Sequence, residues 1–280
     1  MKIGDYEVHT LNTGFFALDG GAMFGVVPKK LWSREHPADE ENRIRMALRT
    51  LLLKSEDRVV LVDTGIGNKF PEKYQKIYGI DQGTNPLFDA LAKHDVTPDQ
   101  VTDVILTHLH FDHAGGVTYY KDGELVPSFP QARHWVQSRN LEWAYHPTEK
   151  DRASYIQDNF EPLKAAGLFE VRSSAGELMP GISAWVSDGH TIGQQLVKIS
   201  DGETTVVFCA DIIPMASHLK LPYIMGYDLQ PLVTLEEKRR VLTQAAAEDW
   251  ILVFEHDPNI VACRIEAGEK NFTIKETLDF

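Results

Sequence analysis

One ten-residue run constrains this chain more than any other: residues 107–116 read Thr-His-Leu-His-Phe-Asp-His-Ala-Gly-Gly. The run places four potential metal ligands within six residues, namely His108, His110, Asp112 and His113. It follows Val104–Thr107, a short apolar segment typical of a strand that is buried on both faces. Because α/β sheets bind ligands at the carboxyl ends of their strands, we expect the four side chains to meet there.

The residue types in this run favour a pair of metal ions. His108 and His110 can reach one metal, whereas Asp112 and His113 lie further round the turn and favour a second. Imidazoles and a carboxylate without a nearby thiolate suit Zn²⁺, and also Fe²⁺, Mn²⁺ or Co²⁺. The glycine pair at 115–116 lets the backbone pass close to a neighbour without a Cβ in the way. A polar loop with incidental histidines is the alternative, and the density of ligands disfavours it.

Three further metal-competent side chains occur later, each directly after an apolar, strand-like run. His190 follows residues 182–186, Asp211 follows residues 206–210, and His256 follows residues 251–255. The same pattern, a buried strand followed by one metal-competent side chain, thus occurs three times. This recurrence predicts that all seven side chains meet at one edge of the sheets.

The complete His-X-His-X-Asp-His motif at 108–113 resembles the hallmark of the metallo-β-lactamase superfamily. The resemblance extends over nearly the whole chain and implies that superfamily's α/β fold, an αββα sandwich of two packed mixed sheets with helices on the outer faces. It also implies a ligand set, in which His108, His110 and His190 hold one metal, Asp112, His113 and His256 hold the other, and Asp211 bridges both. Asp211 separates the chain from the β-lactamases, which lack a bridging carboxylate.

The resemblance implies two divalent metal ions per chain, with Zn²⁺ preferred and Fe, Mn or Co as alternatives. A hydroxide that bridges the metals would attack the substrate, and Asp112 and Asp211 would be the catalytic carboxylates. Asp63 begins an Asp-Thr-Gly turn after the apolar run 58–62, and in this superfamily such an Asp supports the metal loop. A simple Asx turn at Asp63 is the alternative.

Two apolar runs indicate the substrate pocket. Residues 19–28 contain three glycines around Met23 and Phe24, and residues 211–228 extend from Asp211 with many apolar side chains, Pro and Gly. Both runs resemble quorum-quenching N-acyl homoserine lactonases of the YtnP type. The pocket is therefore predicted to include Met23, Phe24, Phe111, His218, Tyr223 and Tyr227. A hairpin turn that buries Met23 and Phe24 in the core is the alternative for the first run.

One position departs from the lactonase pattern. A branch of these lactonases has a Tyr three residues after the bridging Asp, and this chain has Pro214 there. His218, Tyr223 and Tyr227 are the candidates for the hydrogen bond that such a Tyr would give to the substrate, and the sequence does not choose among them. The implied function is a dinuclear hydrolase that opens N-acyl homoserine lactones or cleaves a related neutral ester. A phosphotriesterase, a thioesterase and a catalytically silent metal-binding module are the alternatives.

Length, charge and cysteine content narrow the class further. With 280 residues the chain is expected to form one domain, 1–280. A net charge of −13 disfavours a nucleic-acid partner, and the mean hydropathy of −0.25 argues against a membrane partner. Cys209 and Cys263 lie in apolar runs and are expected to be buried thiols rather than a disulfide. Free thiols and an amino terminus that does not resemble a secretion signal favour a cytoplasmic location. The apolar run 19–28 could also form the contact of a homodimer, which is therefore a possible partner.

Local patterns predict the outer helices. Helical periodicity and capping residues favour helices at 71–78, 86–94, 138–145 and 152–166. Alternating and apolar runs predict strands at 6–11, 44–53 and 58–62, and again from residue 178 onward. Two strand-rich halves, each with its own helices, imply two sheets packed face to face.

Overall fold

The computed structural model describes residues 1–269 and 271–280. Its strands, in chain order, are β1 (Lys2–Ile3), β2 (Tyr6–Asp19), β3 (Arg43–Lys54), β4 (Val59–Val62), β5 (Asp103–Ile105), β6 (Thr118–Lys121), β7 (Glu124–Pro127), β8 (Arg133–Gln137), β9 (Phe169–Arg172), β10 (Gly176–Met179), β11 (Ile182–Ser187), β12 (Gln194–Ser200), β13 (Thr205–Phe208), β14 (Ile251–Val253), β15 (Ala262–Ala267) and β16 (Phe272–Leu278). Its α-helices are α1 (Gly20–Phe24), α2 (Lys29–Trp32), α3 (Glu72–Ile77), α4 (Pro86–Ala92), α5 (Phe111–Ala114), α6 (Ser138–Tyr145), α7 (Glu161–Ala165) and α8 (Pro231–Ala247).

The strands of the described residues form two seven-stranded sheets and a small hairpin, β6–β7. The first sheet has the order β1-β2-β3-β4-β5-β8-β9, and the second runs β10 to β16 in sequence order. Both sheets are mixed. In the first, β4, β5, β8 and β9 are parallel and the remaining pairs are antiparallel. In the second, the parallel pair is β13–β14.

Three apolar clusters show four layers. The central cluster draws Val8, Leu51 and Val60 from the first sheet and Val197 and Ile251 from the second, so the sheets pack on each other. A second cluster joins the opposite face of the first sheet to α4, α6 and α7. A third joins the second sheet to α8. The predicted αββα sandwich of two mixed sheets is therefore confirmed.

The helices at 71–78, 86–94 and 138–145 are confirmed within two residues, but the single helix predicted for 152–166 is wrong. The structure has 3₁₀ turns at Arg152–Ser154 and Gln157–Asn159 and only a short helix, α7, after them. Tyr155 between the turns is extended, and its hydroxyl lies 2.6 Å from Oγ1 of Thr191 in the second half of the chain. This contact, absent from any local pattern, takes the segment out of helical geometry.

A smaller prediction concerns the two cysteines. Cys209 and Cys263 are buried free thiols, as predicted. Among the described residues, no helix has the length and apolar character needed to cross a membrane.

Candidate metal centre

The histidine-rich run leaves the first sheet at the end of β5 and turns into α5. His108 and His113 are fully buried, and His110 and Asp112 are less than a tenth exposed. The backbone N–H of Leu109 donates to Oδ1 of Asn140 at 2.9 Å, which ties the turn to α6. These side chains therefore emerge at the carboxyl end of a parallel strand, as the sequence predicts.

Glycines allow the turn to lie against a neighbouring loop. A Cβ at Gly115 would collide with the carbonyl of Ile66, and one at Gly116 would collide with the carbonyl of Thr64. Only glycine permits this close backbone approach, so the predicted role of the pair is confirmed.

The other three side chains come from the second sheet. His190 follows β11, Asp211 lies in a 3₁₀ turn just after β13, and His256 follows β14. Ala210, immediately before Asp211, has a φ of 44°, a left-handed conformation that is unfavourable for a residue with a Cβ. The fold therefore holds strained backbone at the point where Asp211 is presented.

The seven side chains form two groups that share an edge. In the first, Nε2 of His108 lies 3.0 Å from Nδ1 of His110, which lies 3.2 Å from Nε2 of His190. Oδ2 of Asp211 lies 3.1 Å from the same nitrogen of His190 and completes this group. All four residues are buried.

The second group contains Asp112, His113 and His256, whose ligand atoms lie within 4.8 Å of one another. Asp211 borders this group as well. Its Oδ1 lies 3.1 Å from Nε2 of His256, and its Oδ2 lies 3.5 Å from Nε2 of His113. The carboxylate of Asp211 thus stands between the two groups, with atoms facing both.

Unpartnered atoms show that the residues fit a pair of cations. Nε2 of His113, Nε2 of His256 and Oδ1 of Asp211 are buried and have no hydrogen-bond partner among the described residues. Buried polar atoms normally have partners, because leaving one unpaired costs about 1–3 kcal/mol. Both imidazole nitrogens lie next to the Asp211 carboxylate, and a metal ion is a partner that can satisfy such atoms together.

Electrostatics favour the same conclusion. Burial and the neighbouring imidazoles lower the pKa of His108 and His110 well below the usual value, so both rings are neutral and free to act as ligands. Burial alone would lower the pKa of His256, but the Asp211 carboxylate outweighs it and raises the pKa to about 9. The carboxylate of Asp211 therefore favours a positive charge in the space between it and His256. A divalent cation would supply that charge.

Contacts behind the two groups orient the rings. Asp63 accepts hydrogen bonds from the backbone N–H and the hydroxyl of Thr107, at 2.7 and 2.6 Å, and its Oδ2 lies 3.0 Å from Nδ1 of His113. Asp63 has a φ of 58°, in the left-handed region that Asp tolerates better than most residues. It therefore supports the histidine-rich turn rather than closing a simple Asx turn. Such supporting carboxylates fix the tautomer of a ligand histidine.

His190 and His256 have supports of their own. Nδ1 of His190 lies 2.9 Å from Oδ1 of Asp228, and Nδ1 of His256 lies 2.9 Å from the carbonyl of Ala47. Each contact leaves the Nε2 atom of its ring facing the group. No local pattern identifies Asp228, because its contact with His190 joins residues 38 positions apart.

Glu255 is a second carboxylate that sequence reasoning missed. Its Oε2 lies 2.9 Å from Nδ1 of His113. Burial raises the pKa of Glu255 to about 8, although the neighbouring His113 ring acts in the opposite direction. Its position directly before His256 in a buried strand end was the only available signal.

A cavity of about 270 Å³ opens onto both groups, and His110, Asp112, His190, Asp211 and His256 line it. Its apolar wall consists of Leu18, Met23, Met46, Phe111, Ala153, Met225 and Leu229. Its remaining polar wall consists of Tyr78, Lys150, Asp151, Ser154 and Tyr227. The cavity thus combines a metal-competent floor with a largely apolar side wall.

The structure corrects the predicted pocket at three positions. Met23, Phe111 and Tyr227 line the cavity, but Phe24, His218 and Tyr223 do not. Phe24 is fully buried and stacks between the rings of Trp32 and His218, with ring centroids 5.4 and 4.9 Å away. Tyr223 packs edge-on against the ring of Phe24. Nε2 of His218 lies 2.9 Å from the carbonyl of Met23. Phe24, His218 and Tyr223 thus form a layer behind the cavity wall. The sequence alone does not show whether such a residue lines the cavity or lies behind its wall.

With this geometry in place, comparison with known proteins identifies the family. The family model of the metallo-beta-lactamase superfamily matches residues 49–256. The chain belongs to this superfamily and is a metallo-hydrolase.

Individual relatives are consistent with that assignment. The solved structure of a probable metal-dependent hydrolase from Staphylococcus aureus has 32% sequence identity, covers 99% of this chain and 100% of its own, and superimposes with a TM-score of 0.89. The N-acyl homoserine lactonase AiiA of Bacillus thuringiensis subsp. kurstaki is 25% identical, over 74% of this chain and 79% of its own. The structure of AidC, described as a dizinc quorum-quenching lactonase, shares 21% identity, covers 100% of this chain and 96% of its own, and has a TM-score of 0.79.

Proposed function

We propose that this protein is a two-metal hydrolase that opens the ring of N-acyl homoserine lactones or cleaves a closely related neutral ester. The observation that carries the proposal is the seven-residue metal-competent floor at the base of a cavity with an apolar wall. A floor of this kind activates water, and an apolar wall selects an uncharged substrate arm.

Each side chain has a proposed role at the floor. His108, His110 and His190 would hold one divalent cation, most suitably Zn²⁺, and Asp112, His113 and His256 would hold the other, with Asp211 shared between them. When bound, the two cations supply Lewis-acid polarisation of the substrate and a water whose pKa is lowered to ~7. Asp211 would fix the spacing of the two groups. Asp112, which lines the cavity, would accept the proton that the attacking water loses as it adds to the carbonyl, and would return this proton to the alkoxide that departs when the ester bond breaks.

The character of the cavity wall supports a neutral substrate with an apolar arm. Three methionines, at 23, 46 and 225, face the cavity together with Leu18 and Leu229. Met side chains adapt to alkyl chains of different length. The N-acyl homoserine lactonase from Bacillus thuringiensis, 25% identical over most of its length, supports the same substrate class.

A homologous series of substrates tests the proposal. Each CH₂ group buried on binding contributes about 0.8 kcal/mol, so kcat/KM of zinc-loaded protein should rise roughly fourfold per methylene until the wall is covered. Leu229→Gln should flatten this rise, because Leu229 lines the cavity. Leu232→Gln is the matched control, since Leu232 is 77% exposed and outside the lining.

The same screen includes the rival activities. Aryl esters, a phosphotriester and a glutathione thioester are assayed beside the lactones. If acyl length had no effect on kcat/KM, or if the phosphotriester were turned over orders of magnitude faster than every lactone, the lactonase proposal would be rejected. A phosphotriesterase would then be the better description.

A further inference from the structure

The loop that carries His190 lies directly against the long helix α8. Strand β11 ends at Ser187, and Asp188 and Gly189 connect it to His190. A Cβ at Gly189 would collide with the backbone nitrogen and the Cα of Thr234, in the first half of α8. Because only glycine permits this approach, the backbone beside His190 is in contact with the backbone of the helix.

One side chain of α8 accepts three hydrogen bonds from this loop. Oε2 of Glu237 accepts from the hydroxyl of Ser187 at 2.6 Å and from the backbone N–H of Gly189 at 3.2 Å. Its Oε1 accepts from the backbone N–H of Asp188 at 3.0 Å. Hydrogen bonds to a carboxylate are stronger than those between neutral groups, so Glu237 is a firm anchor for the loop.

The carbonyl groups of the same loop are paired at the start of α8. The backbone N–H of Gln230, the residue before the helix, donates to the carbonyl of Gly189 at 2.9 Å, and its Nε2 donates to the carbonyl of Asp188 at 3.0 Å. The backbone N–H of Leu229 donates to the carbonyl of His190 at 3.0 Å. Every backbone polar group of Asp188 and Gly189 is therefore paired with Glu237 or Gln230.

These contacts determine where His190 lies relative to the other histidines of the first group. His108 and His110 come from the first sheet, whereas His190 reaches them from the second. Asp228 orients the ring of His190, but the place of its backbone depends on the loop that α8 holds. Since metal coordination tolerates only about 0.2 Å in ligand distance, a small shift of this loop would weaken the whole group.

We propose that Glu237 is a positioning residue, which sets the metal affinity of the first group by fixing the Ser187–Gly189 loop on α8. This inference deepens the proposed function and rests on its ligand assignment. Glu237 does not line the cavity, so it acts through the position of His190 and not through contact with substrate. Asp112, His113 and His256 lie outside this loop, so the affinity of the second group is independent of Glu237.

Two backgrounds separate the groups in the test. His256→Ala removes a ligand from the second group, and His190→Ala removes one from the first. Glu237→Gln keeps the size of the side chain but replaces one acceptor oxygen by an NH₂ group that faces the donors of the loop. In the His256→Ala background it should weaken zinc binding by about 10–100-fold, the usual effect of losing a group that supports a metal ligand. In the His190→Ala background it should leave zinc affinity unchanged.

Competition with a chromophoric chelator measures the zinc affinity of each protein, and Glu236→Gln is the matched control. Glu236 is the preceding residue of α8, its side chain is 72% exposed, and its carboxylate accepts no hydrogen bond from the loop among the described residues. Glu236→Gln should have no effect in either background. Ser187→Ala removes only the hydroxyl contact and should give a smaller loss, again in the His256→Ala background alone. It decides the question if Glu237→Gln fails to fold.

A purely structural role of Glu237 would weaken both groups together. Equal losses in the two backgrounds would therefore overturn the assignment, as would no loss in either or an equal effect of Glu236→Gln. If His190→Ala alone bound zinc as tightly and in the same amount as wild type, the ligand assignment would be wrong and the role of Glu237 would fall with it. Zinc binding needs no substrate, so the role of Glu237 stands or falls separately from the choice of a lactone as substrate.

Discussion

Asp63 and Glu255 approach one nitrogen, Nδ1 of His113, at nearly equal distances of 3.0 and 2.9 Å. Their surroundings differ. Asp63 also accepts two hydrogen bonds from Thr107, whereas both carboxylate oxygens of Glu255 lack a hydrogen-bond partner of good geometry among the described residues. Because His113 has only one hydrogen on this nitrogen, we infer that the hydrogen is donated to Asp63.

This difference predicts opposite outcomes for two isosteric substitutions. Asp63→Asn should weaken metal binding by about 10–100-fold, the usual effect of losing a carboxylate that supports a ligand histidine. Glu255→Gln should change it far less, since the Glu255 carboxyl is not the acceptor. Zinc affinity is measured by competition with a chromophoric chelator. Equal losses in both variants would show that the two carboxylates share the hydrogen.

The sequence identifies the metal-competent residues because each follows an apolar strand, and strand ends meet at one edge of a sheet. It does not identify the lining of the cavity to the same degree. Met23 and Phe24 are adjacent and both apolar, yet Met23 faces the cavity and Phe24 is buried behind it. The turn of α1 and the rings of Trp32 and His218 decide which side chain faces inward, and His218 comes from a distant part of the chain.

Among the helices, α8 illustrates how an outer element holds the cavity wall. Lys238 on this helix is fully buried, and its Nζ donates to the carbonyls of Lys220 and Tyr223, at 3.1 and 2.6 Å. These contacts anchor the start of the segment that continues to Tyr227. Burial lowers the pKa of Lys238 to about 7, from an ordinary value of 10.5.

A lowered lysine pKa in the folded state has a defined effect on stability. Below pH ~7, Lys238 is protonated in both the folded and the unfolded protein, and the full cost of burying its charge applies. Between about pH 7 and 10.5 it keeps its proton only in the unfolded protein, so folding becomes more favourable as the pH rises. From pH 7 to 9, the free energy of unfolding of wild type should therefore rise relative to Lys238→Met, with a slope of up to about 1.4 kcal/mol per pH unit. Urea unfolding at several pH values measures this, with the exposed Arg239→Met as control on the same helix. Parallel pH profiles for wild type and Lys238→Met would refute it.

Elements differ in how far local sequence defines them. The helix at 138–145 is predicted to the residue, and its Leu141 and Ala144 pack into the apolar cluster on the outer face of the first sheet. The segment 152–166 has helical periodicity as well, but its Tyr155 is drawn toward Thr191 and Pro162 restarts the chain as a new helix, α7. Long-range contacts of this kind leave no local signal.

At the scale of the whole molecule, each metal-competent group takes residues from both sheets. His108 and His110 come from the first sheet and His190 and Asp211 from the second, and the other group is divided in the same way. A ligand that binds the folded chain and not the unfolded one stabilises the fold by mass action. Metal bound across the sheets should therefore contribute directly to stability.

Metal removal tests this contribution. Zinc at about 100 times its Kd stabilises a single site by about 2.7 kcal/mol, so chelation should lower the Tm of the wild-type protein by several degrees. Asp211→Ala should show a smaller difference between the metal-loaded and chelated states and lose more than about 99% of activity, which is a loss of ~3 kcal/mol in transition-state stabilisation. Glu203→Ala, an exposed carboxylate in the turn after β12, is the control. An Asp211→Ala protein with a wild-type Tm shift and wild-type metal content would contradict the shared role of Asp211.

The division of both groups between the sheets also limits how such a chain can be recombined. A chimera that joins residues 1–172 of this protein to the second sheet of a relative takes part of each metal group from each parent. The donor side chains would all be present by sequence, yet they would meet only if the apolar contact between the two borrowed sheets kept its register. The metal content of such a chimera would thus measure whether two sheets from different parents pack in the native register, without any assay of activity.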